Sequence, residues 1–185
     1  MDAVKLIQRL HQHRTWVNNN LLAAAAPLTA EQLQRTFPIG QGSLWKSLTH
    51  MYAAEYVWLE ALLGHEEAVI PGDAPGKLPG NQLGEGGLTG LDDLRQKWSE
   101  LSLRWDQYLE ALNPENLDEI VYRKSVALGH RLGTRRSDVL LHISTHAHYT
   151  TAQVINMLRQ VGVQTLPESM LILLARHEAA GTTAP

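Results

Sequence analysis

The chain has 185 residues, 44% of them hydrophobic and 19% charged, with 16 basic and 19 acidic side chains, nine histidines and no cysteine. This length predicts one globular domain whose core needs neither disulfides nor a structural metal. A chain without cysteine excludes disulfide frameworks, thiolate zinc sites and cysteine nucleophiles, and the net charge of -3 argues against nucleic-acid binding.

The N-terminal residues 1–5 do not form the basic start and apolar run of a signal peptide. The apolar stretches are also far shorter than the roughly 20 residues that cross a bilayer. We therefore expect a cytoplasmic protein with no membrane partner. The histidines remain to be explained, because neutral imidazole is the commonest metal ligand in proteins and a common acid or base.

Helical periodicity dominates the first half of the chain. Apolar residues recur at three- and four-residue spacing over residues 2–25 and predict a first long helix. Residues 29–33 predict a short helical turn, and Ser43 is a candidate N-cap for a second long helix that ends at Gly64. Residues 65–87 are rich in proline and glycine and predict a long loop, which is typical of a functional or mobile segment.

A third helix and a hairpin follow the loop. Thr89, with an acidic residue three positions later, has the pattern of a capping box for a helix through Leu109. The β-branched and partly alternating residues 120–126 predict a strand, and Gly129 and Gly133 bracket a possible return strand. This segment is therefore interpreted as a short hairpin.

The last part of the chain is again helical. Thr134 or Ser137 is the candidate cap of a fourth long helix, and residues 170–177 predict a final short one. Four long helices around one core predict an all-α four-helix bundle with an interrupting hairpin and a short C-terminal helix. We expect this single domain to span residues 1–178 and to be followed by a disordered tail at 179–185.

Three polar residues fall on the core-facing stripe of the fourth helix. At about 100° per residue, His146, Thr150 and Gln153 share this stripe with apolar side chains. Burying such groups unpaired costs about 1–3 kcal/mol, so each must find a partner. His142 lies one turn earlier at the edge of the stripe, whereas His148 points to the opposite side and is expected in solvent.

The second helix contributes His50, which lies on a strip of small residues that leave room around the imidazole. Glu55 lies on the wide apolar face of the same helix, more than 90° around from His50. The two side chains are therefore poorly placed to bind one ion. We expect Glu55 to pair with Arg14, which the first helix presents near its core-facing side.

A set of segments in this chain points to a known family. They are residues 15–22 (TWVNNNLL), 42–44 (GSL) leading to 48–50 (LTH), Ala54, Glu55 and Trp58, and 142–153 (HISTHAHYTTAQ) followed by 157–160 (MLRQ). On these segments the chain resembles the DinB/YfiT-like superfamily over nearly its whole length and in the same order, including the hairpin. The resemblance implies a four-helix bundle, usually a homodimer.

The resemblance also implies a divalent metal, often zinc or nickel. In the family one histidine of helix 2 and two of a helix 4 motif, His-x-x-x-His-Arg-Gly-Gln, bind the ion. His50 matches the helix 2 ligand and His146 matches the first ligand of the pair. The second ligand falls on Thr150, and the Arg-Gly that should follow is also replaced before Gln153 restores the pattern.

Thr150 decides how the metal site is interpreted. A catalytic zinc site has three protein ligands and an open position, and two imidazoles alone bind a metal weakly. A threonine hydroxyl is a poor ligand at neutral pH. His142 is the reserve ligand because its i, i+4 spacing from His146 lets two imidazoles meet one ion, although many relatives carry this histidine without using it as a ligand.

Two classes of function follow from the resemblance and this departure. In the first, the protein is a metal-dependent enzyme, possibly an S-transferase that uses a low-molecular-weight thiol, with His50 and His146 as ligands. In the second, the metal site is lost and the protein is a non-catalytic, ligand-binding or stress-associated homodimer. Its pocket would be lined by His50, His146, Thr150 and Gln153. A small molecule is the expected ligand or substrate in both cases.

A basic cluster surrounds the predicted hairpin. It could bind an anionic substrate or a thiol cofactor near the mouth of the site, and a solvated hairpin surface is the simpler interpretation. The cluster consists of Arg123, Lys124, Arg131, Arg135 and Arg136.

Overall fold

Four long helices and two short ones make up most of the chain, and a β-hairpin interrupts them. The computed structural model describes residues 2–124 and 129–181. This architecture confirms the predicted all-α bundle with a hairpin and a short C-terminal helix. The elements are α1 (Ala3–Ala25), α2 (Ala30–Gln34), α3 (Leu44–Leu62), α4 (Leu91–Glu110), β1 (Ile120–Lys124), β2 (Arg131–Arg135), α5 (Arg136–Gln160) and α6 (Leu171–Ala179).

Side-chain caps fix the beginnings of the first three helices. The Asp2 carboxylate accepts a hydrogen bond from the backbone N–H of Lys5 at the start of α1. Thr29 and Gln32 form a reciprocal capping box at α2, and the Ser43 hydroxyl accepts from the backbone of Lys46 at α3. These contacts satisfy N–H groups that have no partner inside a helix, and they confirm the predicted helix starts.

The predicted caps of α4 and α5 are wrong. The N-cap of α4 is Gly90, while Thr89 lies one residue earlier and donates to the Asp93 carboxylate. Thr134 lies within β2 and Ser137 lies inside α5. The first N–H groups of α5 instead donate to backbone carbonyls of the preceding segment, as Ser137 does to Leu117. The helix therefore needs no side-chain cap.

The hairpin is antiparallel and pairs Tyr122 with Gly133 at its centre. Its edge is tied to the loop after α3, because the backbone N–H of Lys124 donates to the carbonyl of Glu66. The end of the predicted first strand, at residues 125–126, lies outside the described residues. The hairpin therefore lies against the same loop that later contributes to the site.

α5 packs against both α1 and α3, and large apolar side chains from the four long helices fill the space between them. Leu6 of α1 lies outside this interior and is 53% exposed. No helix among the described residues is long and apolar enough to cross a membrane. The largest fully buried side chains include Leu21, Leu48, Leu94, Trp98, Trp105, Leu140, Met157 and Leu158.

A buried polar cluster links three of the long helices. Glu55 of α3 lies 3.5 Å from the Nε of Arg14 in α1, which confirms the predicted pairing. The Glu55 carboxylate accepts hydrogen bonds from Asn18 of α1 at 2.7 Å and from the indole N–H of Trp98 of α4 at 3.1 Å. The Arg14 guanidinium stacks over Trp105 of α4 at 4.6 Å. One carboxylate thus joins α1, α3 and α4 in the core.

Candidate functional site

The site is built on a pair of imidazoles that face each other across α3 and α5. The Nε2 atoms of His50 and His146 lie 3.2 Å apart, with the two rings nearly perpendicular. The Nδ1–H of His50 donates to the carbonyl of Pro79 at 2.8 Å, which leaves a lone pair on His50 Nε2. His146 then donates its Nε2–H to that lone pair. The sequence-predicted pair is therefore in direct contact.

The surroundings keep His146 uncharged. Burial, together with the neighbouring imidazoles of His50 and His142, lowers its pKa to about 4. A metal ion binds the neutral form of imidazole and competes with its protonation. Near neutral pH, the His146 ring is therefore already neutral and needs no net loss of a proton before it can bind an ion.

A long loop holds His50 in this orientation. Between α3 and α4, the Asp73 carboxylate accepts backbone N–H bonds from Gly80 at 2.6 Å and Gln82 at 2.9 Å. The Thr49 hydroxyl of α3 donates to the carbonyl of Gly80 at 3.1 Å. These bonds fix the Pro79–Gly80 peptide against α3. The loop predicted as functional or mobile thus supplies the hydrogen-bond partner of a site histidine.

Sequence reasoning missed Asp73, although an aspartate among glycines and prolines is a recognised turn former whose carboxylate binds nearby backbone N–H groups.

Gly80 allows the loop to approach α3 closely. Its φ is +85°, and an added Cβ would lie 2.5 Å from the Cα of His50. We predict that Gly80→Ala displaces the loop, breaks the bond from His50 Nδ1 to Pro79 and lowers the free energy of unfolding by about 1–3 kcal/mol beyond the cost of the positive φ. Long-range ¹⁵N–¹H correlation spectra of the His50 ring and urea denaturation measure the two effects.

Gly76→Ala is the matched control for this loop. Gly76 has a similar φ of +75°, and no atom lies within 4 Å of an added Cβ. This variant should lose about 1–2 kcal/mol from the left-handed backbone alone and keep the His50 ring signal unchanged. Equal losses in both variants, with an intact His50–Pro79 bond, would show that the close approach has no role in holding the histidine.

A cavity of about 300 Å³ lies on the loop side of His50. This volume is at the lower end of small-molecule sites. Lys46 of α3 is the one cation among its lining residues, which also include Gln41, Leu78, Pro79, Gly80, Asn81 and Leu83. The cavity therefore has room for a small molecule beside the buried imidazole.

His142 lies one helical turn before His146 on α5. Its ring centroid is 5.6 Å from that of His146, and its ring meets the Trp58 indole edge-on at 5.6 Å. The residue as a whole is exposed, but its ring is partly buried, and this burial lowers the pKa of the His142 imidazole. The predicted reserve ligand is thus near the pair without contacting His50.

Thr150 and Gln153 do not complete a metal site. The buried Thr150 hydroxyl donates to the backbone carbonyl of His146 at 3.0 Å, so it is used within the helix. The Gln153 amide packs against Gly40, where an added Cβ would lie 2.3 Å from its Oε1. Thr150, Gln153 and His146 were predicted to line the pocket with His50, but none of the three is among the residues that line the 300 Å³ cavity.

The donor set therefore fits a metal only in part. His50 and His146 offer two imidazole nitrogens, as the sequence predicted. Across residues 2–124 and 129–181, no group of three or more His, Asp or Glu side chains could hold an ion. Any further ligand must come from rearrangement of His142 or from outside the chain.

Comparisons with known proteins agree with the fold. The sequence model of the DinB family matches residues 2–177. A crystal structure of a conserved protein from Enterococcus faecalis superimposes with a TM-score of 0.63 at 12% sequence identity, covering 87% of this chain and 98% of that one. This likeness concerns the fold alone. No curated protein matches the chain.

Proposed function

The chain belongs to the DinB family, and from the geometry of its histidine pair we propose that it binds a low-molecular-weight thiol together with a divalent metal. In this proposal His50 and His146 supply two ligands and the thiol supplies the third. The observation that carries it is the 3.2 Å separation of the two Nε2 atoms.

That separation suits a shared ion. Two nitrogen ligands at about 2.0–2.1 Å from a tetrahedral zinc lie about 3.3 Å apart, close to the distance found. The carbonyl of Pro79 accepts the other N–H of His50, which is the usual way that a ligating histidine is oriented. For His146 to bind, its proton moves from Nε2 to Nδ1, and its low pKa keeps the ring neutral at physiological pH.

An external thiol suits the missing position for two reasons. Zinc favours thiolate ligands, and this chain has no cysteine to provide one. The cavity beside His50 has room for a small molecule and has the cation of Lys46 at its wall, while His146 is not among its lining residues. When bound, the ion would lower the pKa of the thiol that it coordinates.

The reaction class that follows is S-transfer to a carbon electrophile. The thiolate sulfur forms a bond to that carbon, and the leaving group departs with its electron pair. His50 and its Pro79 contact would orient the metal-binding nitrogen, while the loop over α3 would limit access of water.

A second candidate is a metal-free, ligand-binding homodimer. The direct hydrogen bond between His50 and His146 favours it, since this bond satisfies both nitrogens without an ion. The Thr150 hydroxyl donates to the carbonyl of His146 within α5, which is also consistent with a metal-free protein.

Equilibrium dialysis at a fixed concentration of free zinc or nickel separates the two candidates. We expect the wild type to bind zinc weakly alone and at least about tenfold more tightly with glutathione, a gain of about 1.4 kcal/mol from the added ligand. S-methylglutathione, which has no free thiol, should give no gain. His50→Ala should abolish binding, and His148→Ala, which removes an exposed histidine of α5, should leave it unchanged.

Two results would reject the thiol proposal, and the first of them would favour the metal-free candidate. One is a wild type that stays metal-free at saturating zinc both with and without glutathione. The other is zinc binding that His50→Ala does not weaken, because the ion would then be bound elsewhere on the protein.

A further inference from the structure

The basic residues of the hairpin are not equivalent. Four of the five pair with carboxylates: Lys124 with Glu67, Arg131 with Glu66, Arg135 with Asp118 and Arg136 with Glu119. Arg123 has no carboxylate within ion-pair distance among the described residues. The expectation of a solvated hairpin surface therefore fits four of these cations and leaves Arg123 to be explained.

Arg123 is held in place by an aromatic ring. Its guanidinium carbon lies 5.1 Å from the centroid of the Trp58 indole, within the range of a cation–π contact. The side chain is half-buried, and burial lowers its pKa. A cation that is partly removed from water without a counterion is costly, so this position favours an anionic ligand.

A cavity of about 240 Å³ adjoins Arg123 between the hairpin and the loop after α3. Glu66 and Glu67 also line it, but Arg131 and Lys124 already balance their charges. One uncompensated positive charge therefore remains at the wall. A monoanion neutralises it, whereas a phosphate dianion would leave one negative charge without a partner.

We propose that Arg123 binds a carboxylate group of the small-molecule ligand. The planar guanidinium fork matches a carboxylate in two parallel hydrogen bonds. Trp58 connects this subsite to the histidines, because its indole contacts Arg123 and also meets the ring of His142. That one ligand contacts both Arg123 and the histidine pair rests on the proposed function. The carboxylate subsite at Arg123 does not.

Fluorine NMR of protein labelled with 5-fluorotryptophan tests this subsite without added metal. The Trp58 signal is assigned from Trp58→Phe, and the probe is S-methylglutathione, which has carboxylates and no free thiol. We expect a saturable shift of the Trp58 signal. Arg123→Gln should weaken binding at least about tenfold, Arg123→Lys should weaken it less, and Lys124→Gln, a neighbouring cation paired with Glu67, should bind within about twofold of the wild type.

Two further ligands test whether Arg123 recognises a carboxylate. The dimethyl ester of the probe should give no shift, and inorganic phosphate should give a smaller one than the probe. Full binding by Arg123→Gln, equal binding of the ester or a larger response to phosphate would each overturn the proposal. His50→Ala should keep the Trp58 response, so failure of the zinc experiment and failure of the carboxylate subsite are distinguishable.

Discussion

Thr150→His is expected to raise the affinity for zinc at least about 100-fold in the absence of thiol, or about 2.7 kcal/mol. Residue 150 is four positions after His146 on α5, so the new imidazole lies one turn further along the same face. It would add a third protein ligand to His50 and His146, as in catalytic zinc sites. Dialysis at buffered free zinc measures the gain.

Asn156→His provides the matched control. Asn156 is exposed on α5 and is not three or four residues from any histidine, so the variant adds an imidazole away from the pair without creating a second one. Its zinc affinity should remain that of the wild type. A folded Thr150→His protein with unchanged zinc affinity would show that the absent third ligand does not limit metal binding. Thr150→Asp, with a shorter ligand, checks that the result does not reflect crowding by imidazole.

Arg14→Met is expected to lower the free energy of unfolding by about 3 kcal/mol or more, because it leaves the buried Glu55 carboxylate without its cation. Both side chains are almost fully buried, at 1% and 3% exposure. Glu55 keeps its bonds from Asn18 and Trp98, but these do not cancel its charge. Urea denaturation with an unchanged m-value measures the loss.

The exposed ion pair between Arg9 and Glu178 is the control for this prediction. Arg9→Met, on the same helix, should cost less than about 1 kcal/mol. Adding Glu55→Gln to Arg14→Met should restore at least about 1 kcal/mol, since the uncompensated charge is removed. If Arg14→Met is as mild as Arg9→Met, the buried pair does not hold α1, α3 and α4 together.

Helical phase and the family resemblance together placed the histidine pair. The spacing of apolar side chains put His146 on the inner face of α5 and His50 on a strip of small residues of α3, and the resemblance implied that the two lie together, as they do. The same rotation separated Glu55 from His50 and directed it to Arg14. These predictions worked because a regular helix fixes the direction of every side chain relative to its neighbours.

Contacts made by the loop after α3 and by the hairpin were not predictable from the same pattern. The loop that binds His50 depends on Asp73 and on the space beside Gly80, which no periodicity encodes. Nor could composition show that Arg123 lacks the carboxylate partner that its neighbours have. The start of α5 was missed because distant backbone carbonyls replace the expected side-chain cap.

Cobalt(II) absorption, with and without glutathione, tests the central claim most directly. If His50 and His146 form a two-ligand site that an external thiol completes, the wild type should develop a thiolate-to-cobalt charge-transfer band only when both cobalt and thiol are present. His50→Ala should abolish the band. Tight cobalt binding with no thiolate band when glutathione is added, or no binding under either condition, would contradict the account.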